Sequence, residues 1–370
     1  MKIETFILER EQSLWENEVK YNLSESGVHP GSINNHFSTQ DIDDILNTEL
    51  TYGFTQGSPE LRQNISQIYS NIKPDNILVT NGSAEANFIS ILTHLSAGDE
   101  LIYMIPNYLQ IQGIARAIGV DVKPIWLKEK LNWNFDLNEL ESLITNKTKM
   151  IAVCHPNNPT GSVLPDEQIN GIISIAEKNG IIVLADEVYR GAELNGVECS
   201  SFIETEYENV IVNSGLSKAY GFPGLRIGWT IGNSDHIHKA WSTKDYTSIA
   251  PGRLSDMLAT KILEPEFRQK TLARTRSVLI ENLDIVQNWT DSYNGKFNFI
   301  QPDAGAMAFM RYSFNVNSTE LVERIRDEQS VLLVAGDWYG MDNYLRFGYG
   351  TKRNSLIKAL ELCDKVFKTL

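Results

Sequence analysis

Between residues 75 and 229, short apolar runs alternate with stretches of helical periodicity, and this rhythm limits the possible folds more than any other feature. Strands are expected at 76–80, 101–105, 122–126, 149–154 and 181–185. Helices are expected at 84–95, 108–118, 137–144 and 166–178. The strand runs are short, β-branched and poorly alternating, as suits central strands covered by helices on both faces. A repeated β-α-β order builds an open, mostly parallel sheet, and such sheets bind ligands at the carboxyl ends of their strands. Two more strands, 209–213 and 225–230, flank a loop containing Gly215, Gly221 and Gly224. Beyond Pro251 the pattern changes to charged helical segments reaching about Trp289. Short strands at 297–300, 306–310, 331–334 and 344–349 and a helix at 355–367 follow. The expected fold class is α/β: a large domain over 36–269 with a mostly parallel open sheet covered by helices, and a smaller α/β domain over 270–370. Residues 1–35 are expected to pack with the smaller domain.

Composition narrows the function. The 370 residues carry a net charge of −14, which disfavours binding to phosphate backbones, so no nucleic-acid partner is expected. No apolar run approaches the roughly 18 residues of a membrane span, and Met1–Arg10 lacks the apolar core of a signal peptide. A cytoplasmic location without membrane attachment is therefore expected. Cys154, Cys199 and Cys363 stand far apart, and the six histidines form no ligand pattern, so no metal is expected. His236 and His238, two apart in a polar stretch, are expected to be exposed.

Four segments carry chemistry. Gly82-Ser83-Ala84 follows a strand and opens a helix, where small residues and free backbone N–H groups suit an anion. Asp186 and Tyr189 directly follow the strand at 181–185, and a carboxylate buried there needs a cation, whether metal, arginine or protonated ring nitrogen. In Ser214-Gly215-Leu216-Ser217-Lys218, the lysine can enter the cleft and act as a nucleophile if its pKa falls. Eight residues later, Arg226 offers a fork for a phosphate. His155-Pro156-Asn157-Asn158-Pro159-Thr160-Gly161 forms a rigid turn that can present the Asn158 amide.

In this order and spacing, the asparagine turn, Asp186-Glu187-Val188-Tyr189, Ser217-Lys218 with Arg226, and the late Arg346 resemble the class I/II aminotransferases, fold-type-I enzymes that use pyridoxal 5'-phosphate. The resemblance extends from Asn22 to Gly350. It implies that Lys218 is the Schiff-base lysine and proton shuttle, and that Asp186 pairs with the pyridine nitrogen. It implies that Tyr189 and Asn158 bond the phenolic oxygen, and that Tyr108 stacks on the ring. Gly82, Ser83, Ala84, Ser217 and Arg226 would receive the phosphate, and Tyr52 would reach the phosphate of a neighbouring subunit, which implies a homodimer. Arg346 would clamp the substrate α-carboxylate and Gly27 would lie over the substrate. The implied reaction moves an amino group between an L-amino acid and a 2-oxo acid in two ping-pong half-reactions.

Two positions depart from the family pattern: Gly215 replaces a commoner Ser or Thr, and His155 replaces a commoner Asn. The same groups also suit C–S β-elimination, or a cyclisation like that of capreomycidine synthase. A ligand-sensing regulator would need a DNA-binding module, and an α-oxoamine synthase would place a histidine where Tyr108 stands. No residue type in the sequence selects the substrate side chain.

Overall fold

The alternating segments close into a seven-stranded sheet in a computed structural model that describes residues 2–370. After β1 (Tyr21–Asn22), the sheet takes β2 (Ile77–Thr80), β3 (Glu100–Ile105), β4 (Asp121–Trp126), β5 (Thr148–Cys154), β6 (Ile182–Asp186), β7 (Val210–Gly215) and β8 (Gly228–Ile231). Its spatial order is β2-β8-β7-β6-β5-β3-β4. All neighbours pair in parallel except β8, which runs antiparallel to both β2 and β7. The carboxyl ends of β2, β5, β6 and β7 therefore lie along one edge.

Both faces of the sheet are buried, which explains why the strand sequences do not alternate. Along β3, Ile102 and Met104 join the core on one face, while Leu101, Tyr103 and Ile105 join the core on the other. β2 and β4 are the edge strands, and β4 carries an exposed proline, Pro124.

β9 (Phe297–Phe299), β10 (Met307–Tyr312), β12 (Val334–Ala335) and β13 (Tyr344–Gly348) form an antiparallel sheet in the order β12-β13-β10-β9. The expected single strand at 331–334 is divided at Leu333. Its first half, β11 (Val331–Leu332), pairs in parallel with β1, while β12 pairs with β13. The N-terminal segment is thus hydrogen-bonded to the last third of the chain. Charged segments after Pro251 become helices Arg253–Ile262 and Pro265–Asp291, the second with proline at its first turn.

His236 and His238 lie on helix Ser234–Lys244; His238 is exposed as expected, whereas the expectation for His236 is corrected, because it is buried. Its Nδ1 meets His94 Nε2 at 2.8 Å and its Nε2 meets Thr230 Oγ1 at 2.9 Å. Asn233 caps this helix through the backbone N–H of His236. The expected strand at 225–230 starts only at Gly228, because 3-10 turn Pro223–Leu225 and left-handed Arg226 precede it. Among the described residues, no helix is long and apolar enough to cross a membrane.

Candidate active site

Asp186, Lys218 and Arg346 come from three separate strands or strand ends, and all line one cavity of about 380 Å³. Asp186 is the last residue of β6 and is buried. Its Oδ2 accepts from Asn87 Nδ2 at 2.8 Å and its Oδ1 from the Val188 N–H at 3.2 Å. Burial pushes its carboxyl up, against the opposing pull of these hydrogen bonds. Asn87 is itself held by Asn213 Nδ2 on β7, at 2.9 Å. Neutral donors thus orient Asp186, and no arginine or lysine forms an ion pair with it among the described residues.

Lys218 lies three residues beyond β7, where the chain turns away from the sheet edge. Its Nζ donates to Glu25 Oε1 at 2.6 Å, and the same oxygen accepts from Ser26 N and Gly27 N. Burial pushes Glu25 up, but the Lys218 ammonium and these donors hold its carboxyl at about 2. Arg346 occupies the centre of β13 between β10 and β12 and is only 1% exposed. Nη1 donates to Asn158 Oδ1 at 2.8 Å and to the Tyr339 hydroxyl at 2.7 Å, and Nη2 donates to the Ser24 carbonyl. Its Nε has no hydrogen-bond partner, and no carboxylate pairs with the guanidinium among the described residues. A buried cation left without an anion is costly unless a ligand supplies one.

The third part of the cavity is the start of helix Ser83–His94. Gly82 precedes it with φ 84°, and Ser83, Ala84, Ser217 and Arg226 line the cavity beside it. Glycines let these segments close together. A Cβ on Gly82 would strike the Arg226 guanidinium, and one on Gly228 would strike the Gly82–Ser83 peptide. A Cβ on Gly215 would stand 2.9 Å from the Ile227 carbonyl and 3.1 Å from Gly228 Cα. Gly215, the first departure, is therefore a packing requirement of this loop.

A family model, aminotransferase class I and II, matches residues 39–362. The chain belongs to the class I and II aminotransferases. It is 30% identical over 341 residues to a probable aspartate aminotransferase of Methanocaldococcus jannaschii, covering 86% of this chain and 85% of that one. It is 24% identical over 353 residues to capreomycidine synthase of Streptomyces vinaceus, covering 93% and 88%. A solved pyridoxal-phosphate-dependent aminotransferase from Streptococcus suis superposes with TM-score 0.94 at 30% identity, covering 100% of this chain and 99% of that chain.

This aminotransferase depends on pyridoxal phosphate, and its cavity fits that group on chemical grounds. The Lys218 ammonium, a buried carboxylate without a cation, and a glycine-closed helix start beside Arg226 are brought together. Tyr108, Asn158, Tyr189 and Ser217 also line the cavity. Tyr189 donates its hydroxyl proton to Ser26 Oγ at 2.9 Å, and Tyr108 donates to Glu9 Oε1 at 2.8 Å. The amide oxygen of Asn158 is bonded to Arg346, so only its Nδ2 remains to donate to a ligand.

Two of the sequence-derived residues lie elsewhere. Gly27 backs onto the lysine, where a Cβ would come within 3.3 Å of Lys218 Cα and 3.2 Å of the Ser217 carbonyl. Its position is against the lysine's main chain and not on the cavity wall. Tyr52 is 86% exposed and stands outside the cavity. The second departure, His155, is buried. Its Nδ1 accepts from the Leu164 N–H and its Nε2 faces the Ser200 carbonyl at 3.1 Å.

Sequence reasoning missed Asn87, Glu25 and the helix Ile7–Trp15, which brings Glu9 and Gln12 to the cavity. Asn87 had a readable signal: with Ser83 and Ser90 it forms a polar row at helical spacing in a helix whose other buried residues are Ala86, Ile89 and Ile91. Glu25 had none, because Lys218, the side chain it pairs with, is 193 residues away in sequence.

Proposed function

We propose that this aminotransferase transfers the amino group of an L-amino acid to a 2-oxo acid in two half-reactions, with Lys218 as the cofactor-bearing residue and proton carrier. When bound, pyridoxal phosphate would supply an electrophilic carbonyl for an amine and a ring that accepts the electron pair left when Cα loses its proton. Asp186 keeps the ring nitrogen protonated, and Asn87 fixes the carboxylate that does so. Tyr189, its hydroxyl proton turned from Ser26, and Asn158 would donate to the phenolic oxygen, while Tyr108 would cover the ring face. Ser83, Ala84, Ser217 and Arg226 hold the phosphate, with Gly82 permitting their approach. Arg346 binds the α-carboxylate and so orients the Cα–H bond toward the amine of Lys218, an entropic contribution to catalysis.

The active unit in this reading is a homodimer in which Tyr52 reaches the phosphate of the other subunit. The chain acts as a large domain, 36–269, and a small one, 270–370, with the segment 1–35 packing against the small domain through β1 and β11. The observation that carries the reading is the convergence of Asp186, Lys218 and the unpaired Arg346 on one cavity. Borohydride reduction of the loaded protein followed by peptide mapping should label Lys218. A label on another lysine would overturn the assignment. Arg346→Ala should lower kcat/KM for every donor, by about 2–5 kcal/mol for a truncated buried charge contact.

A further inference from the structure

Three consecutive residues after β1 touch the three groups around which the substrate must sit. The Ser24 carbonyl accepts from Arg346, Glu25 from Lys218, and Ser26 Oγ from Tyr189. Facing them, helix Ile7–Trp15 and its C-cap place Glu9, Gln12 and Glu16 on the cavity wall, at the i, i+3, i+7 spacing of one helical face. Gln12 Nε2 bonds Ser24 O and Oγ at 3.1 and 3.0 Å, which fastens this helix to the segment holding Arg346.

The lining cations are Lys218, Arg226 and Arg346, against the carboxylates Glu9, Glu16, Glu25 and Asp186. In the function proposed above, Arg226 meets a phosphate, Arg346 an α-carboxylate and Asp186 a ring nitrogen. While Lys218 holds the cofactor, its nitrogen would be engaged there and would no longer stand as a free ammonium beside Glu25. Glu25 then loses its cation but keeps the Ser26 and Gly27 N–H donors. Three glutamates remain with no basic side chain of this chain's cavity wall to balance them. Burial and the charges of Glu25 and Glu9 push the Glu16 carboxyl up, as crowding of like charge requires.

These acids would be only a charged rim without Arg346. That buried, unpaired guanidinium fixes the carboxylate end of a ligand in the same cavity, so its side chain is left beside the glutamates. Glu25 moreover already binds a primary alkylammonium, that of Lys218.

We propose that the amino donor carries a second, distal cation, an ammonium or guanidinium, received by Glu25 with Glu16 and Glu9. The inference rests on the aminotransferase reading. A distal carboxylate would meet three like charges there, and an apolar side chain would desolvate them without compensation.

The test uses the cofactor-loaded protein and two measurements. Half-reaction rates are followed by cofactor absorbance with L-ornithine, L-lysine and L-arginine, against isosteric L-norleucine and against L-aspartate and L-glutamate. Binding of 2-methylornithine and 2-methylnorleucine, which have no Cα–H to lose, is titrated calorimetrically. Cationic donors should exceed norleucine by about tenfold or more in rate over concentration, and 2-methylornithine should bind tighter by a similar factor. The double variant Glu16→Gln, Glu25→Gln should collapse both ratios toward unity. Preference for the acidic or neutral donors, or ratios unchanged in the double variant, would overturn the proposal. If no donor reacts, the aminotransferase reading fails alone, because the binding ratio still decides for or against the distal cation.

Discussion

Asp186 is oriented by an amide 99 residues earlier in the chain. Asn87 reaches it from the helix on the same face of the sheet, and Asn213 holds Asn87. Losing a hydrogen bond to a charged group costs about 1.5–3 kcal/mol. Asn87→Ala should therefore raise the dissociation constant for pyridoxal phosphate at least about tenfold in equilibrium dialysis. An unchanged constant would show that Asp186 holds its position alone. His155 and His236 are buried with their ring nitrogens already engaged by neutral groups. Burial is the main cause that lowers them from 6.5 to about 4 and about 3. The unfolded chain takes up protons on these rings below pH 6.5, while the folded chain does not until the lower values. Stability is thus highest above pH 6.5 and falls as the pH drops toward 4. Urea midpoints should fall over this window, and His155→Asn should make the fall shallower; an equally steep fall in the variant would remove His155 from the explanation.

At the scale of elements, strands buried on both faces were legible because their apolar runs are too short for helices and lack polar alternation. The ends were less so. The helix at Ser234–Lys244 has buried positions occupied by His236, Lys244 and Ala240, an unusual core composition that hides its periodicity. The segment 331–334 looked like one strand, but it serves two sheets because β1 competes for its first half. The phosphate-side loop depends on backbone approach at Gly228, where any side chain would enter the Gly82–Ser83 peptide. Gly228→Ala should lower the unfolding free energy by about 1–3 kcal/mol as overpacking, measured by urea denaturation. It should also weaken cofactor binding, since helix Ser83–His94 would have to move. A variant matching the parent in both respects would show that the peptide can shift freely.

For the whole molecule, Leu46, Leu50, Tyr52, Phe54, Tyr246 and Ile249 are large, apolar or aromatic, and exposed. Exposed groups of this kind mark association surfaces when contiguous, and the proposed homodimer places Tyr52 among them. Light scattering should give twice the 41.7 kDa chain mass. Hybrids of Tyr52→Phe with Lys218→Ala subunits should contain one site with Lys218 from the first and Tyr52 from the second. That site should bind the cofactor like the parent; binding like Tyr52→Phe would place the tyrosine in its own subunit. The sequence by itself determined the α/β class, the family and most of the residues that line the cavity at the strand ends, because these depend on periodicity and on motifs fixed to strand ends. Only the tertiary structure decided the acidic wall of the cavity. Glu9, Glu16 and Glu25 come to Lys218 and Arg346 across more than half the chain, through β1 pairing with β11, and no local pattern encodes a contact made by pairing at that distance.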